Sequence, residues 1–140
     1  MKLRIIAISS LLILIPLLFS CIVTSHDYYV EISCDEFTNN PQNMEDDFEI
    51  EIGDKIYVKL CSNPTTVFSW SYEMSGDTVL KEEDHDFEEP EGDAVGAAGN
   101  ETWTFEATEQ GEGVINMEYS QPWEGGIKGE WTYKISVVVE

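Results

Sequence analysis

Apolar and polar residues alternate with a period of two through most of the chain, and clusters of Gly, Pro and Asn separate the alternating stretches. No run of ten or more residues beyond the N-terminal segment carries an apolar period of 3.6. Together these features predict an all-β protein. About seven or eight short strands in some 120 residues fit an immunoglobulin-like β-sandwich. A helical bundle or a doubly wound α/β fold would need the helical periodicity that is missing. The 140 residues include 28 Asp+Glu against 7 Lys+Arg, a formal charge of −21, yet 42% are hydrophobic, which is too apolar for an acidic disordered tail.

Lys2 and Arg4 precede an apolar run from Ile5 to Phe19, interrupted by Ser9, Ser10 and Pro16. A basic start followed by an apolar stretch is the pattern of a secretory signal, here residues 1–20. The run ends in Leu18-Phe19-Ser20-Cys21, which resembles a lipobox whose cysteine thiol takes a lipid; Phe19 is bulkier than the usual residue at its place. An ordinary cleaved signal and a retained N-terminal anchor are the alternatives, since Ile5–Val23 approaches the roughly 20 apolar residues of a membrane span. All three place the remaining chain outside the membrane. Removing residues 1–20 leaves 5 basic and 28 acidic residues, a charge of −23. Such a field repels nucleic-acid phosphates and anionic headgroups, so nucleic acid is excluded as a partner and a basic protein is easier to accommodate. Residues 21–27 read as a mobile stalk, and 28–140 as one domain without internal repeats.

The expected strands begin with Tyr28–Cys34, where Val30, Ile32 and Cys34 alternate with Tyr29, Glu31 and Ser33. Phe48–Ile52, Lys55–Cys61, Phe68–Met74, Glu101–Ala107, Gly113–Tyr119 and Glu130–Val139 follow. Between the first two, Asn39–Asn43 with Glu45-Asp46-Asp47 reads as a polar turn. Lys81–Asp93, densely acidic, reads as a solvated loop. Clustered carboxylates suit calcium, but the Asp-x-Asp-x-Asp-Gly signature is absent, so no metal and no cofactor is expected. With Cys21 set aside for lipid, Cys34 and Cys61 remain as an even pair in an oxidising compartment. They are either bridged or two separate buried thiols. Neither is placed as a nucleophile, because His26 and His85 are the only histidines and neither accompanies a cysteine in a catalytic pattern.

Three loop segments carry the functional signal. Asn63-Pro64-Thr65-Thr66-Val67-Phe68-Ser69-Trp70 puts a tight turn with Thr hydroxyls after an apolar strand, and Phe68 and Trp70 re-enter the core. Gly96-Ala97-Ala98-Gly99-Asn100-Glu101-Thr102-Trp103 opens a strand with a bare backbone that a second backbone can approach. Tyr119-Ser120-Gln121-Pro122-Trp123-Glu124-Gly125-Gly126 sets an aromatic on a Pro/Gly loop. In this order and spacing, the segments resemble the chagasin-type inhibitors of papain-like cysteine proteases, with the likeness running from about Phe48 to Glu140. That family's pattern is Asn-Pro-Thr-Thr-Gly-Phe/Tyr-x-Trp, then a Gly-x-Gly-Gly type loop, then Arg-Pro-Trp.

The resemblance implies a reversible inhibitor, not an enzyme, acting as a monomer on a papain-like cysteine protease. Asn63, Pro64, Thr65 and Thr66, with Val67 and Phe68, would occlude the catalytic centre. Gly96, Ala97, Ala98 and Gly99 would run along the unprimed side through main-chain hydrogen bonds. Gln121, Pro122 and Trp123 would meet the primed side. Three residues depart from the pattern: Val67 in place of Gly, which should resist positive φ and reshape or stiffen the loop; Ala98 in place of Gly; and Gln121 in place of an Arg able to pair with protease carboxylates. Each motif also has a plainer role: Asn63-Pro64 as a turn, Phe68 and Trp70 as core, Gly96–Gly99 as a flexible hairpin loop, and Trp123 packed on its own domain. Asn100-Glu101-Thr102 is a glycosylation sequon beside the second segment. The competing function is an immunoglobulin-like surface adhesion or assembly module that uses the same loops. An acid–base enzyme built on a pair such as Glu82 and Asp84 would need burial that an acidic loop does not provide.

Overall fold

The computed structural model describes residues 24–40, 44–90, 92 and 95–140. The signal-like segment 1–20, Cys21, the stalk residues Ile22 and Val23, and the Pro41-Gln42-Asn43 part of the polar turn lie outside the described residues. In chain order the elements are β1 (Asp27–Ile32), helix α1 (Cys34–Asn39), β2 (Met44–Ile50), β3 (Lys55–Ser62), β4 (Ser69–Gly76), β5 (Leu80–Glu88), β6 (Gly99–Ala107), β7 (Gly111–Ser120) and β8 (Trp131–Val139). They form two four-stranded sheets, ordered β1-β3-β6-β5 and β2-β8-β7-β4. β1 runs parallel to β3 and β2 parallel to β8, while the other neighbours are antiparallel. The expected all-β sandwich is therefore what forms.

The core is the period-two pattern made physical. Ile56, Val58 and Leu60 of β3 are fully buried, as are Phe105 of β6, Ile115 of β7 and Ile135 of β8. Alternate residues on a strand point to opposite faces, so one face of each sheet carries the apolar set inward. Burial of each such side chain contributes roughly 1.5–3 kcal/mol relative to exposure. A second layer is aromatic: Phe37, Trp70, Tyr119 and Trp131 pack ring on ring, with centroids 5.1 Å apart for Phe37–Trp131 and 4.7 Å for Tyr119–Trp131. This layer lies under the end where β3 runs into β4.

Several expected boundaries are corrected. The first strand stops at Ile32 and does not reach Cys34, because Ser33 caps α1. Its hydroxyl accepts the Glu36 N–H (3.3 Å), and the Glu36 carboxylate accepts the Ser33 N–H (2.8 Å), a reciprocal capping box. The helix spans 6 residues, too few to show a helical period, and it drives fully buried Phe37 between the sheets. A disulfide from Cys34 to Cys61 (Cα–Cα 5.1 Å) ties it to β3. Asp27, expected in the stalk, is instead the first residue of β1 and pairs with Lys55, whose N–H donates to the His26 carbonyl (2.9 Å).

Glu45-Asp46-Asp47 is strand, not turn, because β8 offers a free ladder edge there and the Tyr133 hydroxyl donates to Asp46 (2.7 Å). The Lys81–Asp93 segment, expected as a solvated loop, is strand β5 as far as Glu88. Acidic residues have poor strand propensity, but β6 is an interior strand whose backbone groups need a partner on each side. β5 supplies it from Leu80↔Ala107 to Glu88↔Asn100, with an irregularity between Glu82 and Asp84. Its charges then suit an edge strand, where they discourage pairing with another chain. Local partners anchor it: the His85 ring stacks on Trp103 at 4.5 Å, Lys59 pairs with Glu88 at 2.9 Å, and the Tyr72 hydroxyl donates to Glu82. Burial, reinforced by Glu82, pushes the Tyr72 phenol up to about 12.

At the end of the sandwich where β2 turns into β3, Asp54 is buried and clamps the turn. Its carboxylate accepts the Glu51 N–H (2.9 Å) and the His26 N–H (2.6 Å). Burial alone would raise its pKa, but these donors outweigh burial and hold it below the ordinary 3.8. A depressed folded value means that the carboxylate stabilises the fold above the unfolded pKa and that this contribution is lost as pH falls through the folded one. Asp54→Asn is expected to cost about 1–2 kcal/mol at pH 7. In urea titrations the difference from wild type should shrink once the pH drops below 3.8. A difference constant down to pH 2 would show that charge is not what Asp54 contributes.

Candidate functional site

Strand register brings three loops to one end. Ser62 closes β3 opposite Gly99, which opens β6, and Ser69 opens β4 opposite Ser120, which closes β7. The β3–β4, β5–β6 and β7–β8 connections therefore emerge side by side. They hold the three segments that the sequence singles out.

In the first loop, Pro64–Thr66 is a 3₁₀ turn capped by Asn63. Proline suits its first position because its fixed φ is already helical and its missing N–H needs no partner there. The Asn63 side-chain oxygen accepts the Thr65 N–H (3.1 Å) and hydroxyl (2.7 Å), and the Asn63 carbonyl accepts the Thr66 N–H (3.1 Å) and hydroxyl (2.7 Å). Pro64, Thr65 and Thr66 stay exposed. Val67 does not resist positive φ: it closes the turn at φ 61°, ψ 14°, with its side chain 56% exposed. The turn's own hydrogen bonds over-determine that conformation, and the strain stays in the backbone. Phe68 is half-buried and stacks on Tyr119 (5.5 Å), and Trp70 is core, its Nε1 donating to the Cys61 carbonyl (2.9 Å).

Asn63 also joins the loops, since its Nδ2 donates to the Gly96 carbonyl (2.9 Å). Within the second segment only Gly96 is exposed; Ala97 is half-buried and Ala98 packs against the core. Gly99, expected on the binding surface, is instead buried in β6, where a Cβ would lie 2.3 Å from the Glu88 carbonyl oxygen. It is required for close strand approach. In the third loop Pro122 and Trp123 are exposed, Trp123 by 48%. Gln121 turns inward: its backbone N–H donates to the Ile127 carbonyl (2.8 Å) and its Oε1 accepts the Ile127 N–H (2.9 Å). It closes the loop, at the position where the family pattern has an Arg. Asn100 lies in β6 with a strand on either side.

One organising residue is absent from the sequence-based set. Tyr119, 2% exposed at the end of β7, accepts the Asn63 N–H (2.9 Å) with its hydroxyl and donates to the Asn63 carbonyl (3.1 Å). Its ring stacks on Trp131 and Phe68 and tilts against Trp70. Only its place at the head of the third segment marks it. Residues 63–70 and 96–100 are uncharged, whereas the β5–β6 connection also carries Glu89, Glu91 and Asp93 and the third loop carries Glu124, Lys128 and Glu130. Among the described residues no group of His, Cys, Asp or Glu is arranged to hold a metal ion.

A two-sheet sandwich that presents three loops at one end, the first tied to the second through Asn63 and to β7 through Tyr119, has the form of a protein-binding module. The family model described as Chagasin family peptidase inhibitor I42 matches residues 49–137. The chain therefore belongs to the chagasin family of peptidase inhibitors, and that family is one of inhibitors, not enzymes. Chagasin from Trypanosoma cruzi is 28% identical over 80 residues, which cover 54% of this chain and 73% of that one. Among solved structures, the cysteine protease inhibitor EhICP2 from Entamoeba histolytica superposes with a TM-score of 0.66 at 20% identity, covering 83% of this chain and 97% of that one. PbICP-C, solved in complex with falcipain-2, gives a TM-score of 0.55 at 14% identity over 83% of this chain and 100% of that one. These structures share the fold.

Tyr119→Phe is expected to test how the first loop is held. Without the hydroxyl, the Asn63 N–H and carbonyl lose a buried partner while ring packing is kept. Stability should fall by about 1–2 kcal/mol in urea, and inhibition should weaken through a loosened Asn63–Thr66 turn. An unchanged inhibition constant would mean that the turn holds itself.

Proposed function

We propose that this protein is an extracytoplasmic, reversible inhibitor of papain-like cysteine proteases, acting as a monomer whose three loops fill the active-site cleft. The observation that carries the proposal is the Asn63-centred network. It holds Pro64–Thr66 in a 3₁₀ turn at the tip and ties that turn to Gly96 and Tyr119. A protease cleaves a chain lying extended through its cleft; a 3₁₀ turn whose Thr65 and Thr66 hydroxyls are already engaged by Asn63 offers no extended scissile bond. Loops held in this way lose little entropy on docking, which supports tight binding by a standard interface of about 800 Å² per partner. Asn63, Pro64, Thr65 and Thr66 occlude the catalytic centre, Gly96 and Ala97 line the unprimed side, and Pro122 and Trp123 meet the primed side. The relative in complex with falcipain-2 supports the choice of protease class. The signal-like N-terminus supports the extracytoplasmic location, with a lipid on Cys21 or a retained anchor as the attachment if the domain is not released.

Titration of the purified protein into papain or a cathepsin-like protease, following substrate turnover, tests the proposal. Stoichiometric loss of activity, with the inhibitor recovered uncleaved, is the expected result. Unchanged turnover at micromolar protein, under conditions where a family inhibitor abolishes it, would leave the adhesion-module alternative standing.

A further inference from the structure

We infer that Val67 and Ile127 are specificity-determining contacts that, with Trp123, present an apolar rim to an apolar wall of the protease cleft. This assignment rests on the inhibitor function proposed above and adds the chemistry of the surface that is recognised. Val67 is the sole non-glycine residue at positive φ among the described residues. A β-branched side chain there is disfavoured relative to glycine, which takes that conformation freely. Burial does not offset this cost, because the side chain is 56% exposed. Most of the isopropyl group faces solvent, which points to a use in whatever docks on the loop.

Ile127 belongs to none of the three motifs, yet it is 55% exposed on the returning limb of the third loop. Its N–H and carbonyl are both held by Gln121, so the side chain is displayed from a fixed backbone. Trp123 projects from the same loop, exposed by 48%. Two polar groups beside them are engaged within the loop: Gln121 Oε1 is occupied by the Ile127 N–H, and the Lys128 ammonium folds back onto the Gln121 carbonyl, which leaves Glu124 as the exposed charge next to Trp123. Where the family pattern offers an outward Arg to a carboxylate, this chain offers branched aliphatic surface. The matching protease wall is therefore apolar and not acidic.

The test compares inhibition constants and melting temperatures of wild type, Val67→Gly and Ile127→Ser against papain and a cathepsin-like protease. Ile127→Ser is expected to weaken inhibition about tenfold at an unchanged melting temperature. Val67→Gly is expected to weaken inhibition about as much while the melting temperature holds or rises. If wild type inhibits and both variants match it within about twofold, the apolar rim is overturned and the inhibitor function stands. If wild type inhibits neither protease, the function and the rim fall together.

Discussion

Trp123→Ala is expected to weaken inhibition of a papain-like protease by at least about thirtyfold while leaving the unfolding transition nearly unchanged. The indole is 48% exposed, and no buried cluster includes it. The loop that carries it is closed independently of the ring, by the paired hydrogen bonds between Gln121 and Ile127 and by the Gly126 N–H donating to the Trp123 carbonyl (3.2 Å). Gly126 is needed there, because a Cβ would meet Gln121 Cβ at 2.7 Å and the indole nitrogen at 3.0 Å. A large aromatic held rigidly at the rim of a docking surface is the side-chain type that dominates binding energy. Inhibition constants from steady-state assays and melting curves from circular dichroism measure the two halves of the expectation. A collapse of the melting curve in Trp123→Ala would instead assign the indole to its own domain.

The second large effect concerns stability. Replacing both Cys34 and Cys61 by serine is expected to cost about 3 kcal/mol, and on the order of 10 °C in melting temperature. The bridge closes a loop across a sequence separation of 27 and fixes α1 so that Phe37 stays between the sheets, against Trp70 and Trp131. Cys61 is also where the Trp70 indole finds its acceptor, two residues before the Asn63 turn begins. Chemical denaturation with and without reductant checks this. Reduction of wild type should reproduce most of the double-variant loss, and equal stability with and without reductant would show that the bridge contributes nothing.

The core faces could be read from the chain because their signal is local: Ile56, Val58 and Leu60 alternate with Tyr57 and Lys59, and a half-buried strand needs that spacing. The Asn63–Trp70, Gly96–Gly99 and Gln121–Trp123 segments could be read for the same reason, as turn chemistry and bare backbone are written in neighbouring residues. Lys81–Glu88 could not, because its strand state depends on β6, whose backbone groups would otherwise go unpaired. The Ser33-x-x-Glu36 capping signature was present in the sequence, but six residues hold too little periodicity to announce α1. Val67 runs the other way. Its intrinsic aversion to positive φ is a local preference that the Asn63–Thr66 turn it closes overrides. Gln121 shows how a residue type can mislead about role, since a polar side chain in a binding motif serves here as a clasp on Ile127.

By itself, then, the sequence determined an acidic sandwich with one apolar face on each sheet, three distinctive loops and membership of an inhibitor family. Tertiary structure alone decided that Ser62↔Gly99 and Ser69↔Ser120 bring those loops to one end, that Tyr119 holds Asn63, that Gly99 is buried while Val67 and Ile127 face outward, and that acidic β5 is strand. The division has one physical cause. Side-chain alternation and turn chemistry are energies between near neighbours, whereas strand register, loop-to-loop hydrogen bonds and the burial of a given glycine depend on contacts between residues far apart in the chain, which exist only once it has closed on itself.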